Sequence, residues 1–239
     1  MVVKVAVIVP AFNEQDSIEG VVAEINSLNS SPEMRFDTIV INDCSLDNTA
    51  IVVKKQDCIL LDLPINLGIG GAVQTGFIYA FENDYDYAVQ VDGDGQHPPS
   101  EIPKLIKAIS EKNLDIVIGS RFIEKTGFVS TFARRLGISF FKQIIKLYCG
   151  ITITDSTSGF RIINKKTLAL VSKIYPDEFP EPESIILYMK KQLAIGEVAI
   201  NMRERQGGRS SIRAFNTMYY MIKVCIAIFF TYIRYRNKI

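Results

Sequence analysis

The sequence predicts a doubly wound α/β domain with a mostly parallel sheet and a C-terminal helical extension. Short runs rich in β-branched residues alternate with longer helical patterns, and the first run is apolar apart from Lys4, as a strand buried on both faces is. The 239 residues are 48% hydrophobic and 22% charged, which allows one sizeable core. We therefore expect one domain over residues 1–212 and an apolar helix with a basic end over residues 213–239.

Each predicted element has a local signal. The first strand ends at a proline, Asp16 and Ser17 can cap the helix after it, and a glycine-rich turn at residues 67–71 opens the helix that follows the third strand. The predicted strands are residues 3–9, 38–41, 58–63, 87–91 and 115–118. The predicted helices among them are residues 17–28, 68–81 and 99–111.

The alternation of strands and helices weakens after residue 120. Helices are predicted at residues 132–148, 165–173 and 183–193, and strands at residues 160–163 and 196–202.

The last apolar segment, residues 218–233, is followed by Arg234, Arg236 and Lys238. A membrane-spanning helix needs about 20 apolar residues, so this segment is short for one. Its pattern fits a helix that lies on a membrane surface or docks on a small membrane protein, and equally a helix packed on the core.

The net charge of +1 hides an asymmetry between the two halves. Residues 1–118 carry 7 Lys/Arg against 18 Asp/Glu, and residues 119–239 carry 20 against 8. The halves either have different partners or attract each other across one fold. Nucleic acid is not expected as a partner, because aromatic residues do not alternate with the arginines as a stacking surface requires.

The cysteines indicate a reducing compartment. The four are widely spaced and form no C-x-x-C pair, which favours buried thiols in a cytoplasmic protein over disulfides or a zinc site. The apolar start of the chain is too short and too β-branched for a signal peptide.

Polar clusters follow three of the predicted strands, at residues 10–14, 42–49 and 92–97. One such cluster alone is usually a turn, since Asp, Asn and Gly are turn formers. Open α/β sheets bind ligands at the carboxyl ends of their strands. Three clusters on one edge of a sheet therefore predict a pocket.

Asp92 and Asp94 carry the most chemical information in these clusters. Two carboxylates on either side of a glycine repel each other, and a hard divalent cation relieves that repulsion. Mg²⁺ or Mn²⁺ bound in this way can also hold a diphosphate and neutralise the charge that develops as it leaves.

Six motifs taken together resemble glycosyltransferase family 2, and within it the dolichyl- or polyprenyl-phosphate sugar synthases. They occur in family order over roughly residues 4–210. The motifs are Pro10-Ala11-Phe12-Asn13-Glu14, Asn42-Asp43 with Ser45, Asp47 and Thr49, Asn66-Leu67-Gly68, Asp92-x-Asp94-x-Gln96-His97-Pro98, Gly119-Ser120-Arg121-Phe122, and Ser158-Gly159-Phe160-Arg161. The resemblance implies the GT-A fold, with the nucleotide bound in a single catalytic domain.

The resemblance also implies how the nucleotide is held. Pro10, Phe12 and Glu14 would contact its base and ribose, and Asp43 would take a polar edge of the base. The family often has Asp-Asp-Gly where this chain has Asn42-Asp43-Cys44, so uridine and guanosine both stay open.

The same resemblance places the metal and the sugar. Asp94 and Gln96 would ligate Mg²⁺ or Mn²⁺, and Asp92 would bind the sugar or help to place the metal. His97, the only histidine, is either a structural residue or a metal or base residue.

Arginines are concentrated in the basic half, and arginine binds phosphate through a bidentate fork. The resemblance places Arg121, Arg134 or Arg135, and Arg205 near the donor diphosphate and an acceptor phosphate. We predict Asp92, Asp94, Arg121 and Arg205 as catalytic residues. A basic loop at residues 206–211 is expected to close over the donor.

The acceptor decides whether a general base is needed. A polyprenyl phosphate such as undecaprenyl phosphate is already an anion, whereas a sugar hydroxyl needs a carboxylate within hydrogen-bond reach. The candidates for that carboxylate are Asp155, Glu181 and Glu183. The arginine excess and the apolar, basic-ended terminus favour the lipid phosphate, with inversion at the anomeric carbon, at the inner face of the cell membrane.

Three other functions fit less of the sequence. A soluble glycosyltransferase that extends a polysaccharide would lose activity when Glu183 becomes Gln. A non-catalytic module would bind a nucleotide sugar without turnover. A nucleotidyltransferase would need a basic, glycine-rich loop after the first strand, and residues 10–14 are not one.

Overall fold

Strand β1 (Val3–Ala11) lies inside the sheet and pairs in parallel with β2 (Met34–Asn42) on one side and β4 (Tyr87–Gln90) on the other. The computed structural model describes residues 2–29, 32–124, 132–203 and 216–235. Within β1, residues 5–11 are buried, because this strand has a neighbour on each side and a helical layer on each face.

The seven strands lie in the order β3-β2-β1-β4-β6-β5-β7. β3 (Ile59–Asp62) pairs in parallel with β2, and β7 (Ile195–Ala199) pairs in parallel with β5 (Ile116–Ser120). One strand runs the other way: β6 (Arg161–Asn164) is antiparallel to both β4 and β5. The start of β6 therefore lies beside the end of β4, with Arg161 opposite Gln90.

Helices cover both faces of the sheet, and a short 3₁₀ turn, Pro99–Glu101, precedes the fourth helix. The described helices are α1 (Ile18–Asn26), α2 (Thr49–Val53), α3 (Gly68–Glu82), α4 (Ile102–Glu111), α5 (Phe132–Cys149), α6 (Lys165–Val171), α7 (Pro180–Lys190) and α8 (Asn216–Arg234). Among them, none is both long and apolar enough to cross a bilayer.

The core has two layers, one on each face of the sheet. One layer packs α1, α2 and α4 against side chains such as Val7 and Val40. The other packs α3 and α5 to α8 against side chains such as Ile8 and Ile39, and Val224 and Ile228 of α8 are fully buried in it. The doubly wound, mostly parallel sheet is thus confirmed, and the inward face of the C-terminal helix is part of the core.

Several local predictions need correction. The helix expected from residue 183 begins at Pro180, because proline lacks only the N–H that the first helical position leaves unused. The short helix α2 was not predicted. Ser17 does not cap α1 with its side chain. The four cysteines are free thiols, as expected, but each is only partly buried.

Gly76 allows α3 to lie directly on the sheet, and its replacement tests that packing. A Cβ at this position would lie 2.4 Å from Ile8 Cγ2 and 3.0 Å from Ile41 Cδ1. We expect Gly76→Ala to lower the free energy of unfolding by about 1–3 kcal/mol, because both neighbours are buried in a packed layer. Urea denaturation measures the change.

Gly20 of α1 is the matched control, since a Cβ there meets nothing within 4 Å. Gly20→Ala should leave stability unchanged or raise it by up to about 1 kcal/mol through helix propensity. Equal effects of the two substitutions would contradict the close approach of α3 to β1.

Candidate active site

The carboxyl ends of β1, β2 and β4 open into one cavity of about 830 Å³. This volume is in the range of sites that bind a nucleotide-sized ligand. The lining residues come from the three strand ends, the first turns of α3 and the start of α7: Pro10, Ala11, Phe12, Asn13, Glu14, Asp43, Asn66, Gly68, Ile69, Ala72, Asp92, Gly93, Asp94 and Glu181. The three polar clusters of the sequence therefore meet in one pocket, as predicted.

The loops after β1 and β2 are hydrogen-bonded to each other. Glu14 N donates to Thr49 Oγ1 at 2.9 Å, and Asn13 N donates to Ser45 Oγ at 3.0 Å. Leu46 N donates in return to Asn13 Oδ1 at 2.8 Å. These bonds satisfy backbone groups that a loop otherwise leaves to water. They fix the wall of the cavity that carries Pro10, Phe12 and Glu14.

Asp43 holds the start of α3. Its carboxylate, only 4% exposed, accepts hydrogen bonds from Leu67 N at 2.7 Å and Gly68 N at 2.9 Å. A carboxylate at this end of a helix satisfies unpaired N–H groups and interacts favourably with the helix dipole. Asp43 lines the cavity, but both of its oxygens already have partners in α3, and the predicted contact with the base stays a prediction.

The first turns of α3 are part of the site, which the sequence indicated only loosely. The glycine-rich turn at residues 67–71 does open a helix, and its Gly68 lines the cavity. Ile69 and Ala72, on the same side of the helix start, were not predicted as site residues. The sequence signal for these residues is that the turn follows β3. This strand runs parallel to β2, so its carboxyl end lies at the same edge of the sheet as the cavity.

Asp92 and Asp94 both line the cavity beyond the end of β4. The Asp92 side chain is 34% exposed, and its Oδ2 lies 3.2 Å from Nδ1 of the buried His97. Asp94 is 8% exposed, and its Oδ1 accepts a hydrogen bond from Gln96 N at 3.0 Å. Gln96 is not among the described lining residues, and its role as a metal ligand stays a prediction.

The pKa of Asp92 lies below its ordinary value. Burial raises this pKa, but the contact with His97 and the charge of Arg121 outweigh it. His97 also stacks on Phe160, with ring centroids 5.3 Å apart and planes 17° from parallel. His97 thus contacts Asp92 from the protein interior. It is not among the described residues that line the cavity.

Gly159 leaves room for the Asp92 carboxylate. A Cβ at this position would lie 2.9 Å from Asp92 Oδ1 and 2.8 Å from Gln90 Nε2. The antiparallel β6 brings the loop that contains Gly159 to this edge of the sheet. The Ser158-Gly159-Phe160-Arg161 motif therefore contributes to the site by allowing a close approach.

The Ser17 side chain connects the loop after β1 to the acidic loop after β4. Its Oγ lies 2.9 Å from the Gly93 carbonyl oxygen and 2.9 Å from Glu14 Oε2. This position explains why the Ser17 side chain does not cap α1: its hydroxyl group is already engaged across the sheet edge.

Arg121 and Asp155 form a buried ion pair. Arg121 Nε and Nη2 each donate to one oxygen of Asp155 at 2.6 Å, and the two residues are 5% and 0% exposed. Neither is among the described residues of the cavity wall. The Arg121 guanidinium thus has a partner in Asp155, and its predicted phosphate contact stays a prediction. Asp155 does not face the described cavity wall, where a general base would be needed.

Glu181 and Glu183 lie in the first turn of α7 and face different neighbours. Glu181 lines the cavity, and its pKa is raised because burial outweighs the charge of Arg161, while Asp92 raises it further. Glu183 accepts a hydrogen bond from Thr231 Oγ1 of α8 at 2.5 Å. Of the carboxylates predicted for the acceptor side, Glu181 is the one in the pocket.

Three further arginines were predicted to bind phosphate, and one loop was predicted to close over the donor. The side chains of Arg134 and Arg135, the whole of Arg205, and the predicted closing loop at residues 206–211 lie outside the described residues.

The donor atoms of Asp92 and Asp94 fit a site in which Mg²⁺ or Mn²⁺ would be shared between protein carboxylates and a substrate phosphate. Among the described residues there is no cluster of three or more His, Cys, Asp or Glu side chains that could hold a metal by itself. Mg²⁺ is commonly bound by one or two carboxylates together with substrate phosphates. Asp92 and Asp94, both open to a cavity of nucleotide size, provide such a set of donors.

The family model described as "Glycosyl transferase family 2" matches residues 6–170. A UDP-N-acetylglucosamine–dolichyl-phosphate N-acetylglucosaminyltransferase of Methanococcus voltae is 33% identical over 217 residues, which cover 81% of this chain and 83% of that protein. A polyprenol monophosphomannose synthase of Mycolicibacterium smegmatis is 25% identical, over 91% of this chain and 84% of that protein.

The fold has solved counterparts. Glucosyl-3-phosphoglycerate synthase from Mycobacterium tuberculosis, crystallised with Mn²⁺, UDP-glucose and phosphoglyceric acid, superposes with a TM-score of 0.71. The identity is 17%, and the match covers 96% of this chain and 79% of that one. The likeness confirms the GT-A fold that the motifs implied.

Replacement of Glu183 tests how the charge of its carboxylate affects the packing of α7 against α8. Burial raises its pKa above the usual value, so the ionised carboxylate is disfavoured in the folded protein. The wild-type protein therefore loses stability as the pH rises through this raised pKa. We expect Glu183→Gln to raise the melting temperature at pH 7.5, with the gain shrinking towards pH 4, where both side chains are neutral.

The control for this experiment is Glu111→Gln, which changes an exposed ion pair with Lys107. Its effect should stay within about 0.5 kcal/mol at either pH. A Glu183→Gln variant that is less stable than wild type at pH 7.5 would show that the charged carboxylate stabilises the helix pair.

Proposed function

This chain belongs to glycosyl transferase family 2, and on that premise we propose that it transfers a sugar from a nucleotide diphosphate sugar to a polyprenyl phosphate. The observation that carries the proposal is the cavity in which Asp92 and Asp94 face the ends of β1 and β2. The named activities of similar proteins support the acceptor class: a dolichyl phosphate in Methanococcus voltae and an undecaprenyl phosphate in Micrococcus luteus.

The nucleotide occupies the part of the cavity formed by the loops after β1 and β2. Pro10, Phe12 and Glu14 hold its base and ribose, and Phe12, 45% exposed, offers an apolar face to the base. Asp43 acts on this region mainly through the start of α3, whose orientation it fixes. The donor is UDP- or GDP-linked.

Asp94, with the help of Asp92, would hold Mg²⁺ or Mn²⁺, and a bound ion would supply positive charge to the diphosphate leaving group. The low pKa of Asp92 keeps its carboxylate ionised at neutral pH, ready to bind a cation or a sugar hydroxyl. Arg121 is a positioning residue in this scheme, because it holds Asp155 and acts on Asp92 only through its charge.

The acceptor phosphate attacks the anomeric carbon from the side opposite the diphosphate, which inverts that carbon. Its oxygen is already anionic, so no side chain has to remove a proton. Arg134, Arg135 and Arg205 are proposed to bind the phosphate groups, since arginine forms bidentate bonds with them. The protein works at the inner face of the cell membrane, where such lipid acceptors are available.

Transfer to lipid is tested with the purified full chain, undecaprenyl phosphate, a panel of UDP- and GDP-sugars, and Mg²⁺ or Mn²⁺. We expect nucleotide diphosphate release with one donor, loss of release on chelation of the metal, and a roughly hundredfold or greater loss in Asp94→Asn.

Asp84→Asn serves as the control, because the Asp84 side chain is 82% exposed and pairs with Lys165 away from the cavity. It should retain the full rate. Absence of release with every donor, in the presence of lipid, would falsify the enzymatic proposal.

A second candidate, transfer to a sugar hydroxyl, is favoured by one observation: the Glu181 carboxylate lines the cavity with a raised pKa, as a general base requires. Glu181→Gln separates the two. If the acceptor is a phosphate, kcat should change by less than about tenfold, and if it is a hydroxyl, kcat should fall by about 10²- to 10⁴-fold.

Glu183→Gln, in the same helical turn but bonded to Thr231, is the matched control and should leave kcat unchanged. A large loss in Glu181→Gln with activity on soluble glycans would move the assignment to the second candidate.

A further inference from the structure

Helix α8 presents an apolar stripe to the outside of the molecule. Six large apolar side chains are between 45% and 63% exposed: Tyr219, Ile222, Ile226, Phe229, Phe230 and Ile233. At 3.6 residues per turn, these positions fall within an arc of about 100° on the helix. Isolated exposed apolar residues are common, but a continuous stripe of this kind marks an interaction surface.

The opposite face of α8 is fixed to the body of the protein. Val224 and Ile228 are fully buried, and Thr231 donates its hydroxyl to Glu183 of α7. Tyr232 packs against Tyr148 of α5, with ring centroids 4.8 Å apart. The helix is therefore held in a defined orientation, with the stripe directed away from the core.

Cations gather around the C-terminal end of α8, beside the stripe. Lys190 Nζ lies 3.7 Å above the Tyr232 ring, and Lys191 and Arg234 lie over the Tyr235 ring. The sequence of α8 contains no Asp or Glu. Lys223, at the other end, is paired with Glu178 at 3.2 Å. The stripe is thus apolar along its length and has Lys190 and Arg234 beside its C-terminal end.

We infer that the α8 stripe lies on a bilayer that contains anionic lipids. An interfacial helix buries one apolar face, rich in aromatic residues, in the bilayer surface while nearby Lys and Arg contact the head groups. A second copy of this chain would present the same acid-free helix and no counter-charge for these cations. The match of charge and hydrophobicity therefore favours lipid.

This inference rests on the proposed lipid-phosphate acceptor and adds how the enzyme reaches it. The first turn of α7 carries Glu181, which lines the cavity, and Glu183, which accepts a hydrogen bond from Thr231 on the inward face of α8. One turn of helix therefore joins the site to α8. A protein seated through α8 holds this end of its cavity in a fixed position relative to the bilayer.

The test uses vesicles that contain no polyprenyl phosphate, so that binding in the cavity does not contribute. The full chain should co-sediment with vesicles of phosphatidylcholine and phosphatidylglycerol, and more weakly with phosphatidylcholine alone. The double variant Ile222→Ser/Phe230→Ser should bind at least about tenfold more weakly, because it loses two apolar contacts with the lipid. Circular dichroism and thermal unfolding check that the variant is folded.

Ile51→Ser is the matched control. Ile51 of α2 is 55% exposed, like Ile222, but it lies on the other face of the sheet. This variant should bind vesicles as the wild type does. Wild-type protein that ignores the anionic vesicles, or a double variant that binds them normally, would overturn the inference. So would sedimentation showing a wild-type dimer that the double variant abolishes.

A separate assay distinguishes failure of this surface from failure of the proposed function. Transfer to a short, water-soluble polyprenyl phosphate, without vesicles, should be the same in the wild type and in Ile222→Ser/Phe230→Ser. Transfer without vesicle binding would overturn the membrane surface alone. Vesicle binding without transfer to any acceptor would support the surface and overturn the enzymatic proposal.

Discussion

The parallel pairing of β1 with β2 and β4 is the constraint on which the rest of the molecule depends. Because the three strands run in the same direction and in register, their carboxyl ends reach one edge of the sheet together. The loops that follow must then share a small space. Their hydrogen bonds to each other, from Glu14 to Thr49 and from Ser17 to Gly93, are a consequence of that shared edge, and so is the cavity.

Much of this architecture follows from local patterns in the sequence. Buried parallel strands have continuous apolar runs, and polar residues directly after such runs belong to the ligand edge of the sheet. These two rules suffice to place Asp43, Asp92 and Asp94 in one pocket, as the structure confirms. Helix positions were also predictable from periodicity, apart from the five-residue α2, which is too short to show a repeat.

Contacts between distant parts of the chain were not predictable in this way. Arg121 looked like a phosphate ligand, but its partner Asp155 lies 34 residues away and no pattern links the two. The hydrogen bonds of the Asp43 carboxylate to the start of α3 were likewise not predictable, since Leu67 and Gly68 lie more than 20 residues further along the chain. The direction of β6 is also not readable from the sequence, since its four residues are too few to show a pattern typical of parallel or antiparallel strands.

The reversed strand β6 also sets the order in which the molecule can be completed during synthesis. β4 leaves the ribosome about 70 residues before Arg161, the residue that pairs with Gln90. Until then β4 has an open edge, which is a template for aggregation, and the emerging chain carries the excess of negative charge found in residues 1–118. The basic second half supplies both the missing strand and the balancing charge, so the nascent chain is most vulnerable just before β6 emerges.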